Sequence, residues 1–229
     1  MRGIDPAPEP ADLTTQRASG VPYAQLSLTQ VRRALWDQQS GRCAYCERSL
    51  RAPDRDDHQT KIEHFHPQSS TEWTAACSRE SGASSPNLAP VVWSNLLLCC
   101  DGNESARRAF TCDTAKGGVD ICECFRNPKS WGRGPLVSID GAGRAFPVAG
   151  LPAGAEEVVE RTLNLNADTL VAARFEIIRA RKRQIAKYRA THHGLTAHAR
   201  STLAARFREE SFTAEFGSTL ASLAASLSP

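Results

Sequence analysis

No run of eighteen apolar residues occurs in this 229-residue chain, and its start, Met1-Arg2-Gly3-Ile4-Asp5-Pro6, lacks the apolar core of a secretory signal. These absences point away from the membrane and from export, so the cytoplasm is the expected compartment. Excess charge of one sign is also missing. Lys and Arg total 28 against 25 Asp and Glu, a net charge of +3, too little for the total to indicate a polyanionic partner. No internal repeat is present, which excludes a solenoid or propeller. Hydrophobic residues at 41% and charged residues at 23% exclude global disorder.

Cysteine, by contrast, is plentiful. Eight cysteines in a chain expected to stay in a reducing compartment argue against a disulfide framework and for metal ligation. Cys43-Ala44-Tyr45-Cys46 is a CxxC knuckle, which brings two thiolates to one ion through a tight turn. Cys100 and Cys112 are the best second pair, because they flank an excursion containing Asp101, Gly102 and Asn103. Cys99 is an alternative to Cys100, and Cys122 with Cys124 is an alternative second pair. Otherwise Cys77, Cys99, Cys122 and Cys124 read as buried or incidental thiols. A redox role for Cys43 and Cys46 lacks the thioredoxin-like βαβ pattern that would accompany it. The expected ion is Zn²⁺, which supplies folding free energy where neighbouring elements are short.

The chain divides into an N-terminal arm (1–26), a core (27–150) and a C-terminal helical region (151–229). Residues 5–25 carry four prolines and no clear period, and read as an extended arm or poorly ordered tail bearing little chemistry. Ser27-Leu28-Thr29-Gln30 has capping-box form, and Leu28, Val31, Leu35 and Trp36 then fall at helical spacing up to Gly41. Pro53 and the aspartates between Arg51 and Thr60 suit a turn. In Lys61-Ile62-Glu63-His64-Phe65-His66-Pro67, a strand ending at Pro67 puts Ile62, His64 and His66 on one face and Glu63 and Phe65 on the other. Residues 68–90, rich in Ser, Ala and Thr, read as an irregular loop, and Trp93 to Cys100 returns to the core. Cys112 to Gly118 predicts a short helix closed by glycine, and residues 119–152 predict small strands and turns.

In the last third, Asn166 or Asp168 caps a helix with an apolar stripe of Val171, Phe175, Ile178 and Ile185. A second helix covers Ala197 to Glu210, and an alanine- and serine-rich tail follows. Arg174, Arg179, Arg181, Lys182, Arg183, Lys187 and Arg189, against the single acid Glu176, form a basic segment suited to a phosphate backbone or an acidic partner, or simply a solvated face.

A histidine after an acid at a strand end is, taken alone, as readily a surface pair as a catalytic one. Its company changes the reading. The order CxxC, Glu63-His64, Asn95, then Cys100 and Cys112-Asp113-x-x-Lys116 resembles the HNH, or ββα-metal, nuclease family. The resemblance implies an α+β fold: a ββα-metal core with a four-cysteine zinc site (Cys43, Cys46, Cys100, Cys112), flanked by an N-terminal helix and a C-terminal helical region. It also implies roles for single residues. Glu63 is the metal-binding acid, His64 the general base and Asn95 the brace of its loop. Asp113 is the last ligand of a catalytic divalent ion, Mg²⁺ or another, where the family usually has Asn or His. Lys116 stands where the family has a terminal lysine that can neutralise the scissile phosphate. His66 either joins His64 at phosphate or metal, or is a surface residue of the turn.

Such chemistry suits these groups: imidazole, with an ordinary pKa of about 6.5, is available to deprotonate water at cellular pH, and a divalent ion offsets charge on the phosphoryl oxygens. The expected products carry 5′-phosphate and 3′-hydroxyl ends. A longer match runs through Gln38, Gly41 to Glu47, Ile62 to Pro67, Trp93 to Leu96, Asn127-Pro128, Thr162 to Asn166, Leu170 and Arg174. It resembles the HNH subunits of Septu-type and retron-associated anti-phage systems, which implies an ABC-type or SMC-like ATPase partner. DNA is the favoured substrate, with RNA, including tRNA, as the alternative. A reading from another class is a zinc-stabilised binding or adaptor protein that does not catalyse.

Overall fold

An unbroken apolar run, Leu96-Leu97-Leu98-Cys99, sits at the centre of the computed structural model, which describes residues 1–55, 58–106, 109–191 and 194–227. The run forms β2 (Leu96–Cys99) and pairs antiparallel with β1 (Lys61–His64), His64 opposite Leu96 and Lys61 opposite Cys99. Both faces of this two-stranded sheet are covered, which explains why β2 is apolar throughout rather than alternating. Leu96 and Leu98 pack with Leu13, Val31, Leu35 and Trp93, whereas Leu97 and Cys99 pack with Tyr45, Phe65, Phe125 and Leu163.

The first face is covered by α1 (Ala11–Ala18) and α2 (Thr29–Gln38), which bury Leu13, Val31 and Leu35. The N-terminal arm is therefore ordered, contrary to the expectation. Pro6, Pro8 and Pro10 precede α1 instead of interrupting it, and a single 3₁₀ turn (Tyr23–Gln25) follows it. The expected capping box at Ser27 does not form: no side chain caps α2, and the Ser27 amide donates to Gln16 Oε1 at 2.7 Å. Gln39, just past α2, locks the next segment to the sheet. Its side chain accepts from Leu98 N (2.8 Å) and donates to the Arg42 and Leu98 carbonyls (2.7 Å each).

Asp56 and Asp57, two of the aspartates expected in the 51–60 turn, lie outside the described residues. Residues 68–90 are not a plain loop. They contain α3 (Ala75–Ser81), capped by Thr74, whose hydroxyl accepts from Cys77 N, and ended by Gly82 at φ +72°. Only glycine fits there, since a Cβ would fall 2.2 Å from Ser94 Oγ. Contacts beyond the helix hold it: the buried Glu80 carboxylate accepts from Asn127 N at 2.8 Å and from Arg126 Nη1 at 2.6 Å. Such anchoring lies outside any local pattern.

The one-turn helix α4 (Cys112–Lys116) ends at Gly117, φ +53°, as its sequence predicts. The hairpin β3 (Val137–Ile139) and β4 (Ala145–Pro147) follows. Next, α5 (Ala155–Glu157) runs into a π turn at Val158–Thr162. Beyond it, α6 (Asp168–Thr191) buries Leu170, Arg174 and Ile178, a seam at i, i+4 and i+8. The expected stripe is thus displaced: Phe175 is 42% exposed, and Arg174 faces inward in its place. Asn166 does not cap α6, because its side chain pairs with the Ala145 backbone at 2.7 and 3.0 Å. The helix α7 (Ala197–Glu210) matches its expected bounds. The alanine- and serine-rich tail is a further helix, α8 (Gly217–Leu227), whose Ala224 packs with Ala204 and Phe207. Its Ser218 amide donates to Glu47 beside the CxxC knuckle at 2.9 Å. Among the described residues, no helix is long and apolar enough to cross a membrane.

Candidate metal and catalytic centre

The CxxC segment turns on itself, with Glu47 N donating to Cys43 O at 3.0 Å and Cys43 N to Arg48 O at 2.9 Å. It is sewn to β2 by Ala44 N, which donates to Leu98 O at 2.9 Å. The chain leaves β2 at Cys100 and returns at Cys112. Gly102, φ +60°, lets this return pass, since a Cβ there would meet Thr111 O at 2.3 Å. Cys112 is left-handed (φ +55°), a conformation that costs a β-carbon-bearing residue about 1–2 kcal/mol. Its amide is held by Leu163 O at 2.8 Å.

The outcome is that Cys43, Cys46, Cys100 and Cys112, all buried, bring their sulfurs within 4.8 Å of one another and could hold a metal ion. Tetrahedral bonds of about 2.3 Å put sulfurs about 3.8 Å apart; Cys46 and Cys100 are separated by 3.9 Å. The structure therefore selects Cys100 over Cys99, which lies in β2, and excludes Cys122 and Cys124 from this set. Burial disfavours the Cys43 thiolate, yet hydrogen bonds from Cys100, Cys112, Cys46 and Cys99 outweigh it and hold the Cys43 pKa well below the thiol range. The hydrogen bond with Cys100, then those with Cys43 and Cys46, push Cys112 well up. Without a cation, one ionised sulfur suppresses its neighbours; a dication lets all four ionise. Two guanidiniums offset the resulting charge: Arg48, whose pKa rises under the nearby thiols although burial opposes it, and the buried Arg174. Arg174 donates to Leu165 O (2.8 Å) and Gly143 O (3.2 Å), so it is not available to a phosphate backbone.

The pleat of β1 sends Lys61 and Glu63 toward α4. Lys61 Nζ reaches Thr114 Oγ1 at 3.0 Å, and Glu63 Oε1 lies 2.8 Å from Lys116 Nζ. Glu63 also accepts from Tyr45 Oη at 2.9 Å and shares a hydrogen bond with the Asp113 carboxyl. Asp113 and Lys116, at i and i+3, share a face of α4 and so converge on Glu63. Burial, opposed by the Lys116 ammonium and aided by Asp113, raises the Glu63 pKa to about 8. Glu63 is thus protonated at neutral pH beside the Asp113 carboxyl, and the oxygen donors of the two also fit a hard divalent cation with water completing its shell. Lys116 is 1% exposed, and its ammonium also donates to His64 O at 3.1 Å. It is turned inward to Glu63 and the strand end.

His64 faces the other side. Its Nε2 lies 3.0 Å from Pro90 O, an acceptor only, so Nε2 carries the proton and Nδ1 the lone pair. The exposed Gln68 donates to Nδ1 at 3.1 Å, and Tyr23 stacks edge-on at 4.5 Å. Burial, with the Pro90 hydrogen bond opposing it, lowers the His64 pKa to about 4. The imidazole is neutral at physiological pH. Tyr23 had no visible signal, since it lies in the proline-bearing arm.

Asn95, 0% exposed, closes the turn after β1. Its Oδ1 accepts from His66 N (2.8 Å), and its Nδ2 donates to His66 O and Ala89 O (3.0 Å each). That is the bracing expected of it. Replacing Asn95 by alanine orphans the buried His66 N and O and leaves Ala89 O with only its Val92 N donor, so the expected loss is roughly 2–4 kcal/mol. Urea denaturation checks it; a change below about 0.5 kcal/mol would remove the bracing role.

His66 does not join His64. Beyond the strand end it is buried, with Nδ1 2.9 Å from Asp120 Oδ2 and its ring 4.8 Å from Trp73. Cys77 and Cys122, expected to be incidental, gather at the same point. The basic segment stays exposed at Arg179, Lys182, Arg183, Lys187 and Arg189. Compared with family models and with curated proteins, the chain matches none.

Proposed function

We propose that this chain is a metal-dependent endonuclease of the HNH, or ββα-metal, class, stapled by zinc at Cys43, Cys46, Cys100 and Cys112. Within that class we assign it to the nuclease effectors of Septu-like anti-phage systems, acting with an ABC-type or SMC-like ATPase and cutting DNA in preference to RNA. What carries the reading is one juxtaposition at the end of β1: a neutral imidazole anchored through Nε2, on the strand residue that follows a buried carboxyl held by Lys116, Tyr45 and the Asp113 carboxyl of α4. Four thiolates suit zinc, whereas oxygen donors suit magnesium.

His64 Nδ1 takes a proton from water, and the resulting hydroxide attacks phosphorus as the bond to the 3′ oxygen breaks. Pro90 O keeps the ring's other nitrogen protonated and stabilises the imidazolium. Glu63 and Asp113 would hold a divalent ion, which would supply positive charge for the phosphoryl and departing oxygens. Lys116 and Tyr45 are positioning residues that hold Glu63 in place. Gln68 occupies Nδ1 in this chain alone, so water reaches the base only after that exposed side chain swings away. Substrate or the ATPase partner supplies that displacement. The exposed Lys182, Arg183, Lys187 and Arg189 offer phosphate contacts.

Cleavage of plasmid DNA and of tRNA, with and without the ATPase, tests the reading across a Mg²⁺ titration. Glu63→Gln and Asp113→Asn each raise the Mg²⁺ needed for half-maximal cleavage by at least about tenfold. Because the Glu63 carboxyl titrates at about 8 when metal-free, that requirement falls as pH rises toward 8. The linkage sign is the reverse for the metal-free fold. A carboxyl raised above its unfolded value of about 4.5 favours folding below that pH and loses its contribution as pH rises through about 8. Cleavage that is equal with and without chelator sinks the proposal; cleavage of tRNA alone moves the substrate to RNA.

A further inference from the structure

Four side chains from distant stretches of sequence meet behind the strand end that carries His64. His66 follows β1, Cys77 lies in α3, and Asp120 and Cys122 follow α4. Their ligand atoms all lie within 4.8 Å of one another, and three of the four residues are buried. His66 Nδ1 is 2.9 Å from Asp120 Oδ2 and 3.7 Å from Cys122 Sγ, while Cys77 Sγ is 3.5 Å from Asp120 Oδ2. A tetrahedral ion with bonds of about 2.0 Å to nitrogen or oxygen and 2.3 Å to sulfur sets its ligand atoms about 3.3–3.8 Å apart. These three distances come within about 0.4 Å of that range.

A hydrogen-bond reading of the cluster is unsatisfactory. Nδ1 has a single proton or lone pair, yet a carboxylate and a thiol both point at it. The opposite nitrogen, Nε2, is buried with no hydrogen-bond partner. In a metal-free ring the proton on Nδ1 bridges to Asp120, and Nε2 becomes a bare, desolvated acceptor. A cation among the four atoms takes the Nδ1 lone pair, both sulfurs and the carboxylate at once; the ring proton then sits on Nε2, unpartnered in either state, so it is the doubly contacted Nδ1 that favours the ion.

We propose that His66, Cys77, Asp120 and Cys122 form a second zinc site, separate from the four-cysteine site. Two thiolates, a neutral imidazole and one carboxylate around Zn²⁺ give a closed shell of net charge about −1 with no position left for water, which marks a structural rather than a catalytic ion. Its effect is mechanical. The ion ties the turn after β1 and helix α3 to the segment after α4, so His64 and Gln68, each two residues from His66, are held from behind.

The test uses the full chain purified in the presence of zinc. Elemental analysis should find two zinc ions per chain. Zinc X-ray absorption should report an average shell of about three sulfurs and one nitrogen or oxygen, the mean of a four-sulfur and a two-sulfur site. Cys122→Ser and His66→Gln should each reduce the content to one ion and return the average to about four sulfurs. A helical circular-dichroism spectrum retained in either variant separates loss of the ion from loss of the fold. One zinc per chain in the wild type with an all-sulfur shell, or a Cys77–Cys122 disulfide in place of the ion, overturns the proposal. So do two ions retained in both variants. None of these readouts depends on cleavage, so the site stands or falls apart from the nuclease reading.

Discussion

Cys112→Ser, or removal of zinc from the wild type, is expected to unfold the sheet and its flanking helices rather than loosen one loop. The four cysteines staple three segments: the knuckle after α2, the end of β2 and the start of α4. A two-stranded sheet is marginal on its own, and α4 is a single turn far too short to hold itself together. Structural zinc contributes an apparent binding energy of about 10–16 kcal/mol in small domains, as large as the whole net stability of about 5–15 kcal/mol of an ordinary one. Losing the ion also leaves Arg48 and the buried Arg174 beside thiols that cannot all ionise, and leaves Cys112 in its left-handed conformation without the bond that compensates for it. A strong chelator should therefore abolish the cooperative thermal transition, and zinc should restore it. Cys124→Ser, outside both cysteine groups, is the control and should melt like the wild type. A Cys112→Ser protein with an unchanged melting transition would remove zinc from the account of the fold.

What made this site legible was short range. Cys43 and Cys46 sit in one turn, and Cys100 and Cys112 bracket one excursion, so spacing alone suggested a shared ion. Glu63, His64, Asp113 and Lys116 were singled out by the resemblance to HNH nucleases, not by spacing alone. The direction of Lys116 was not legible, because whether a lysine points outward or into a carboxyl pair depends on what lies across from a one-turn helix. The second cluster was invisible, since His66, Cys77 and Asp120 carry no local spacing that unites them; only the antiparallel register of β1 and β2 and the anchoring of α3 through Glu80 bring them together. Besides α3, two helices were missed for opposite reasons. The proline-bearing arm hid α1, which Pro6, Pro8 and Pro10 precede and Pro22 follows, and the small residues of α8 resemble a linker until Ser218 is seen bonded to Glu47. On α6 the apolar Phe175 was an attractive inward residue. The partner that won its place, Arg174, does so through the Gly143 and Leu165 carbonyls, which no helical period encodes.

His64→Ala is expected to lower cleavage by about 10²–10⁴-fold, the usual range for a general base, with little change in the Mg²⁺ requirement, because Glu63 and Asp113 remain. The pH dependence discriminates a base from a packing residue. His64 has its pKa lowered to about 4, so the lone pair on Nδ1 is present across the whole neutral range, and the wild type should not lose activity between pH 8 and 6 through His64 protonation. The loss in that interval should instead follow protonation of Glu63, and saturating Mg²⁺ should shift it to lower pH. Stability carries the opposite signature. An unfolded histidine takes up its proton near pH 6.5 while the folded one resists until about pH 4, so the fold is fully favoured above 6.5 and weakens as pH falls toward 4. His64→Ala removes that acid sensitivity while abolishing cleavage. His64→Gln, which can still donate to Pro90 O but has no lone pair of matching basicity, separates the two functions: it should preserve the melting transition and still fail to cleave. Cleavage retained by His64→Gln would show that the imidazole only fills space between Tyr23 and Pro90, and would move the search for the base elsewhere.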